Sequence, residues 1–199
     1  MKDTFHKINR EILTDPENRE LVEKGYQPLY VAHASARILI VGQAPGRKTQ
    51  QAGRAWQDSS GDRLRTWLGV TADQFYDSSL FAQLPMDFFY PGKARTGDNP
   101  PRKGFAAKWH PRLLALMPKI RLFILAGQSA QTYYLGKQSR PTLTENVRHY
   151  QDYLPRLFPI VHPSPLNFRW HRRNPWFEDE VVPELQAIVG ELIGQVASS

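Results

Sequence analysis

The sequence contains no cysteine, which excludes disulfides, Cys-held zinc, a thiol nucleophile and a cysteine-bound iron–sulfur cluster. Long apolar runs are missing too. The longest, such as Leu122 to Ala126, fall far short of the roughly 20 residues that a membrane-spanning helix needs. Met1 to Arg10 lacks the apolar core of a signal peptide, so a cytoplasmic protein is expected. Acidic residues are in deficit, with 19 Asp and Glu against 26 Lys and Arg, a formal charge of +7. No internal repeat, low-complexity tract or interdomain linker interrupts the 199 residues. At 41% hydrophobic and 12% aromatic, the chain has enough apolar material for one sizeable core, and a single domain over residues 1–199 is expected.

The basic excess is not spread evenly. It gathers at Arg47-Lys48, Arg63 and Arg65, Lys93 to Arg95, Arg102-Lys103 and Arg169 to Arg173. Most of these groups lie in loop-like stretches beside aromatics, an interleaving that suits nucleic acid. A solvated basic face explains each arginine equally well by itself.

Periodicity predicts helices over Asp3–Leu13, Glu17–Lys24, Asp62–Leu68, Phe105–Met117, Ser129–Leu135 and Glu178–Val196. Short apolar runs over Arg37–Val41, Leu80–Leu84, Arg121–Ala126 and Phe158–Val161 read as buried strands, and several stop abruptly at Gly or Pro. Strands alternating with helices imply an α/β fold: a three-layer α/β/α sandwich around a mainly parallel four-stranded sheet. In such sheets ligands bind beyond the carboxyl ends of the strands. Two strand-end loops therefore carry most interest, Gly42-Gln43-Ala44-Pro45-Gly46 and His162-Pro163-Ser164-Pro165-Leu166-Asn167. The first is not a phosphate-cradling P-loop, since no Gly-Lys-Ser/Thr follows, and its glycines could serve only a tight turn. In the second, flanking prolines fix one imidazole at a strand end. His33, His110 and His149 have no spacing that suggests a metal site, and no metal or cofactor is expected.

Together the two loops resemble the uracil-DNA glycosylase superfamily. The sequence HPSPLN at His162–Asn167 closely matches its second active-site motif, and GQAPG at Gly42–Gly46 is similar to the first motif of its thermophile-type branches. Gly53-Arg54-Ala55-Trp56 is similar to their Gly-Arg-Pro-Phe, and Ser60-Gly61-Asp62-Arg63-Leu64 to their Ser-Gly-X-X-Leu. The resemblance implies a monomeric DNA-repair hydrolase that flips uracil, or a related damaged base, out of DNA and cleaves its N-glycosidic bond.

It also implies roles. Trp56 would stack on the flipped base, with Gly42, Ala44 and Pro45 lining the base site. His162 would donate a hydrogen bond to the leaving base, so that an indole and an imidazole grip an extruded pyrimidine. Several branches carry an acid in the first motif, but Gln43 and Ala44 stand there. Asp58 is the nearest substitute for activating water. Asp62 is the fallback, its place at a helix start suggesting capping, and Gln43 could position a water through its amide. The family's base-reading asparagine is absent. Gln83 offers the same amide on a longer arm, and Asp87 competes with it. Leu166 would fill the gap left by the flipped base, and Ser164, Asn167, Arg169, His171, Arg172 and Arg173 would hold phosphates or the groove. Pro100-Pro101-Arg102-Lys103 resembles a basic Pro-rich segment of some relatives, in which nearby cysteines bind an iron–sulfur cluster. Without cysteines it should be held by packing alone, with Phe88, Phe89, Tyr90 and Trp109 as candidates. Two other readings stay open: a nucleic-acid-binding member of this fold without turnover, and a small-molecule hydrolase using the same strand ends.

Overall fold

Among the described residues four short, mostly apolar runs lie side by side, all parallel, in the order β2-β1-β3-β4: β1 (Ile38–Val41), β2 (Phe81–Gln83), β3 (Leu122–Ala126) and β4 (Leu157–Ile160). The computed structural model describes residues 3–194. Ile40 is paired with Gln83 on one side and with Ile124 on the other, and Ile124 pairs in turn with Phe158. A parallel sheet of this kind is covered on both faces, which is why its strands read as unbroken apolar runs.

Ten helices among the described residues supply the cover. The first five are α1 (Phe5–Thr14), α2 (Arg19–Glu23), α3 (Arg47–Ala52), α4 (Ser59–Leu68) and α5 (Ala72–Tyr76). The others are α6 (Phe105–Leu114), α7 (Gln128–Leu135), α8 (Leu143–Arg148), α9 (Phe168–Arg173) and α10 (Val182–Ile193). Successive strand residues point to opposite faces. Leu39, Val41, Phe123 and Leu125 pack with α1, α6 and α7 through Ile8, Ile12, Trp109, Leu113 and Leu135. Ile38, Ile40, Ile124 and Phe158 pack with α4, α5, α8 and α10 through Leu64, Phe75, Val147, Leu185 and Val189. The result is the expected three-layer α/β/α sandwich, with the sheet wholly parallel among the described residues.

Several boundaries differ from the sequence reading. The helix read over Glu17–Lys24 divides into a 3-10 turn, Pro16–Asn18, and α2, because Asp15 accepts the Glu17 N–H and caps the turn. The closing helix begins with a wide π turn over Phe177–Val181 before α10, and its predicted end, Val196, lies outside the described residues. Helices α3, α5, α8 and α9 were not read at all. Two of them carried a legible signal: Thr71 with Gln74 and Thr142 with Glu145 form reciprocal capping boxes.

A fully buried histidine on α6 ties α7 to the turn after β2. The His110 ring bridges the Tyr134 hydroxyl (2.7 Å) and the Pro85 carbonyl (3.0 Å). Since a carbonyl only accepts, Nε2 carries the proton and Nδ1 accepts from Tyr134. Burial pushes this imidazole down to about 4. The sign follows: below about 6.5 the unfolded chain takes up a proton that the native ring refuses, so stability falls as pH drops through the window from 6.5 to 4. Between pH 7 and pH 5 the loss expected from His110 is about 2 kcal/mol, measurable by urea unfolding at the two pH values.

Candidate active site

All four strands run the same way, so the turns after them gather at one end of the sheet. The turn after β1 begins at Gly42 and the turn after β4 carries His162. Between them opens a cleft of about 480 Å³. Gly42, Gln43, Ala44 and Pro45 form one wall, His162, Ser164, Leu166 and Asn167 another, and Trp56 and Asp58 complete that end. Two loops more than a hundred residues apart in sequence thus share one opening. Gly127, at the end of β3, makes room for the second of them, because a Cβ there would lie 3.3 Å from His162 Cβ.

Trp56 is half-buried and holds a left-handed backbone with φ of 61°, which no other non-glycine residue does among those described. That conformation costs about 1–3 kcal/mol and persists only where neighbours enforce it. Here they do so at the carbonyl oxygen, which accepts from the Tyr76 hydroxyl (2.8 Å) and from Arg65 Nη1 (3.0 Å). Gly61 lies against the same carbonyl: a Cβ there would sit 1.8 Å from the Trp56 oxygen. Gly61→Ala is therefore expected to cost about 1–3 kcal/mol or more, read as a lowered denaturation midpoint, and to shift the indole. On the other side the indole lies over Gly42, where a Cβ would be 3.0 Å from Cζ2. The hold of Tyr76 and Arg65 on Trp56 escaped the sequence reading, because nothing local ties either of them to the indole's backbone.

His162 is positioned by its own turn. The Ser164 backbone N–H donates to Nδ1 (3.2 Å), and Asn167 Nδ2 donates to the His162 carbonyl (2.7 Å). An Nδ1 that accepts a hydrogen bond is unprotonated, so the neutral ring carries its proton on Nε2. Burial lowers the affinity of this imidazole for a second proton, and the Asp58 carboxylate opposes that in part. The Trp56 and His162 rings do meet, but against each other: their centroids are 5.8 Å apart at an interplanar angle of 30°. Rings already within stacking range leave no room for a third between them, so the expected sandwich is corrected to a paired wall against which a base can lie.

The carboxylates are distributed differently from expectation. Helix α4 starts at Ser59, and its cap is Asp58, whose Oδ1 accepts the Gly61 N–H (3.1 Å). Asp58 is exposed at the cleft, and its second oxygen makes no part of the cap. Asp62 is therefore not the cap: it sits in the first turn and pairs with Arg65. Asp87, the competing base reader, is 0% exposed and committed elsewhere. It binds Arg102 through two bonds, Nε–Oδ2 (2.7 Å) and Nη2–Oδ1 (2.8 Å), and accepts the Phe89 N–H. The Pro100–Lys103 segment is thus fastened by an ion pair from the half-buried Arg102 to the buried Asp87, not by packing alone. Arg102 also reaches the Glu17 carbonyl and Asn18, and its guanidinium lies 4.6 Å from the Phe105 ring centroid.

Gln83 is 2% exposed and sits beside Ile40; Ile40 reaches the cleft and Gln83 does not. Arg169 and Arg172 are exposed on α9, just past the His162 turn. The far end of the cleft holds residues that the sequence did not point to, including Thr49, Pro91, Asp98 and Asn99. Asp98 ends a small antiparallel turn that starts at Lys93, and it accepts a hydrogen bond from the Tyr90 hydroxyl (3.2 Å). Burial and that bond raise the Tyr90 hydroxyl above its usual range. A turn signal exists at Gly97, but none places the turn over the cleft.

Residues 29–186, most of the chain, match the family model of the uracil DNA glycosylase superfamily. The chain belongs to that superfamily. It is accordingly a DNA glycosylase, a hydrolase whose partner is DNA and whose work is base excision repair. The matched span covers the whole sheet and every cleft residue named above, and leaves α1 and α2 outside it. No helix among the described residues of the glycosylase is long and apolar enough to cross a membrane.

Proposed function

We propose that the glycosylase removes uracil, or a closely related damaged base, from DNA and leaves an abasic site, acting as a cytoplasmic monomer. The observation that carries this reading is the neutral His162 ring, with its free Nε2–H in the same cleft as Trp56. A base within a stacked strand is out of reach, so the nucleotide must turn out into the cleft. The base then lies along the indole of Trp56, over the Gly42–Pro45 turn. As the bond from the sugar to N1 lengthens, negative charge grows on the pyrimidine, and His162 Nε2–H donates to its O2. Positive charge grows on the sugar, where the free Asp58 oxygen stabilises it and takes a proton from the attacking water. Water oxygen bonds to C1′, and the base leaves with the bond's electron pair. Gln43 helps to hold the water, whereas Gln83, buried beside Ile40 and outside the cleft lining, takes no part in reading the base. Leu166 fills the vacancy, and Ser164, Asn167, Arg169 and Arg172 hold the flanking phosphates.

A second reading, DNA binding without turnover, is favoured by one observation: Asp58, the acid on the Trp56 side of the cleft among the described residues, already serves as a helix cap. The test is incubation with uracil-containing single- and double-stranded oligonucleotides, followed by alkaline cleavage. Strand scission at the uracil supports excision. Salt-sensitive binding without abasic product supports the second reading, and indifference to nucleic acid overturns both.

A further inference from the structure

Leu166 is 85% exposed and Phe168 is 54% exposed; with Tyr133 at 38% they are the large apolar side chains that reach solvent among the described residues. Their exposure does not come from a loose backbone. Ser164 Oγ accepts the Leu166 N–H (3.2 Å), and the Asn167 N–H returns to the Ser164 carbonyl (3.0 Å). Immediately beyond, α9 is nailed down by its inner side: Trp170 Nε1 donates to Thr144 Oγ1 (2.8 Å), and the Trp170 ring packs edge-on against Trp176 and Phe177. A rigid turn thus holds two hydrophobic side chains out in water.

What surrounds them decides the kind of partner. Arg169, Arg172 and Arg173 are all exposed on the same short helix. Phe168 and Arg172 are four residues apart and so share a face, and the Arg169 guanidinium lies 5.6 Å from the Phe168 ring centroid. Apolar prongs set among three cations fit a surface of flat apolar faces edged by anions, which is a stack of bases between phosphates.

We propose that Leu166 and Phe168 form a two-pronged wedge, and that the substrate is a base within double-stranded DNA. This rests on the glycosylase reading of the cleft and adds the strand state. Residues two apart are separated by at most about 7 Å of chain, about two steps of 3.4 Å in a strand. One prong therefore fills the place of the flipped base while the ring beside it supports the base left without its partner on the opposite strand. A single strand has no orphaned partner and no second strand to hold apart, so a second prong has work only in a duplex.

The test compares one uracil sequence as a duplex and as a single strand. Phe168→Ala is expected to lower the duplex to single-strand ratio of kcat/KM by about 10- to 100-fold, the range of one lost base stack, and Phe168→Trp to restore it. Because the side chain is exposed, a folding defect is not the expected cause, and a circular-dichroism melt checks this. A second readout needs no turnover: by fluorescence anisotropy, Phe168→Ala should weaken binding to a duplex carrying a tetrahydrofuran abasic analogue about tenfold more than binding to an intact duplex. Equal losses on single and double strands, or on gapped and intact duplexes, overturn the wedge. Were the wild-type protein to release no uracil from either substrate, the turnover reading would fall and the abasic duplex would still decide the wedge.

Discussion

His162→Ala is expected to slow base release by about 100- to 1000-fold, the equivalent of ~3–4 kcal/mol, with the loss in kcat and not in KM. The reason is that the Nε2–H has nothing to grip in the ground state beyond an ordinary carbonyl, but gains an ionic partner as charge moves onto the pyrimidine. Its readiness is built into the turn. With the Ser164 N–H already on Nδ1, the tautomer is set before any substrate arrives, and no reorganisation is needed in the transition state. The pH profile carries the same signature. Since burial holds the folded imidazole below its ordinary value, the ring stays neutral above about pH 6.5, and the rate should be level there as far as His162 controls it. On the acid side a proton on Nδ1 would meet the Ser164 N–H head-on, so activity should fall with the ring's titration. His162→Gln, which keeps one donor, should recover part of the loss. A His162→Ala enzyme with wild-type kcat on a uracil duplex would remove this residue from the mechanism.

The sheet and the two main loops were legible because parallel strands buried on both faces leave a plain trace: Ile38–Val41 and Leu122–Ala126 are continuous apolar runs, each ended by a glycine. Where such runs end, a site forms, so Gly42 and His162 could be brought to one opening before any contact was known. What stayed hidden depends on contacts without local pattern. The left-handed backbone at Trp56 is unusual for so bulky a residue, and its cause lies in Tyr76, twenty positions on, and in Gly61. The choice between Asp58 and Asp62 as helix cap turned on three residues of helix boundary, the part of a sequence reading that fraying and capping blur most. The approach of Asp98 to the cleft depends on a short turn whose direction no periodicity encodes. Gln83 shows the limit from the other side: its strand and register were readable, yet alternation alone did not reveal that Ile40, its neighbour, would be the one to reach the cleft.

Arg102→Ala is expected to destabilise the fold by about 3–5 kcal/mol, because it removes the counter-charge bonded to Asp87, a carboxylate with no exposed surface. The pair joins distant parts of the chain. Arg102 is fastened to the N-terminal turn at Glu17 and Asn18, while Asp87 donates its own backbone N–H to the Gln43 carbonyl (3.2 Å), and Met86 does the same to Gly42 (3.0 Å). Loosening the ion pair should therefore reach the base-holding turn as well as the Pro-rich segment. Urea unfolding at pH 7 measures the first effect, and the second should appear as a raised KM in the fraction that remains folded. Removing the charge together with its partner separates the causes. In Asp87→Asn/Arg102→Met no ionised group is left buried, so most of the stability should return, although the lost bonds to the N-terminal turn would not. A single-variant loss below about 1 kcal/mol, the size of a surface ion pair, would mean that water reaches Asp87, and that packing around Phe89 and Phe105 holds the segment after all.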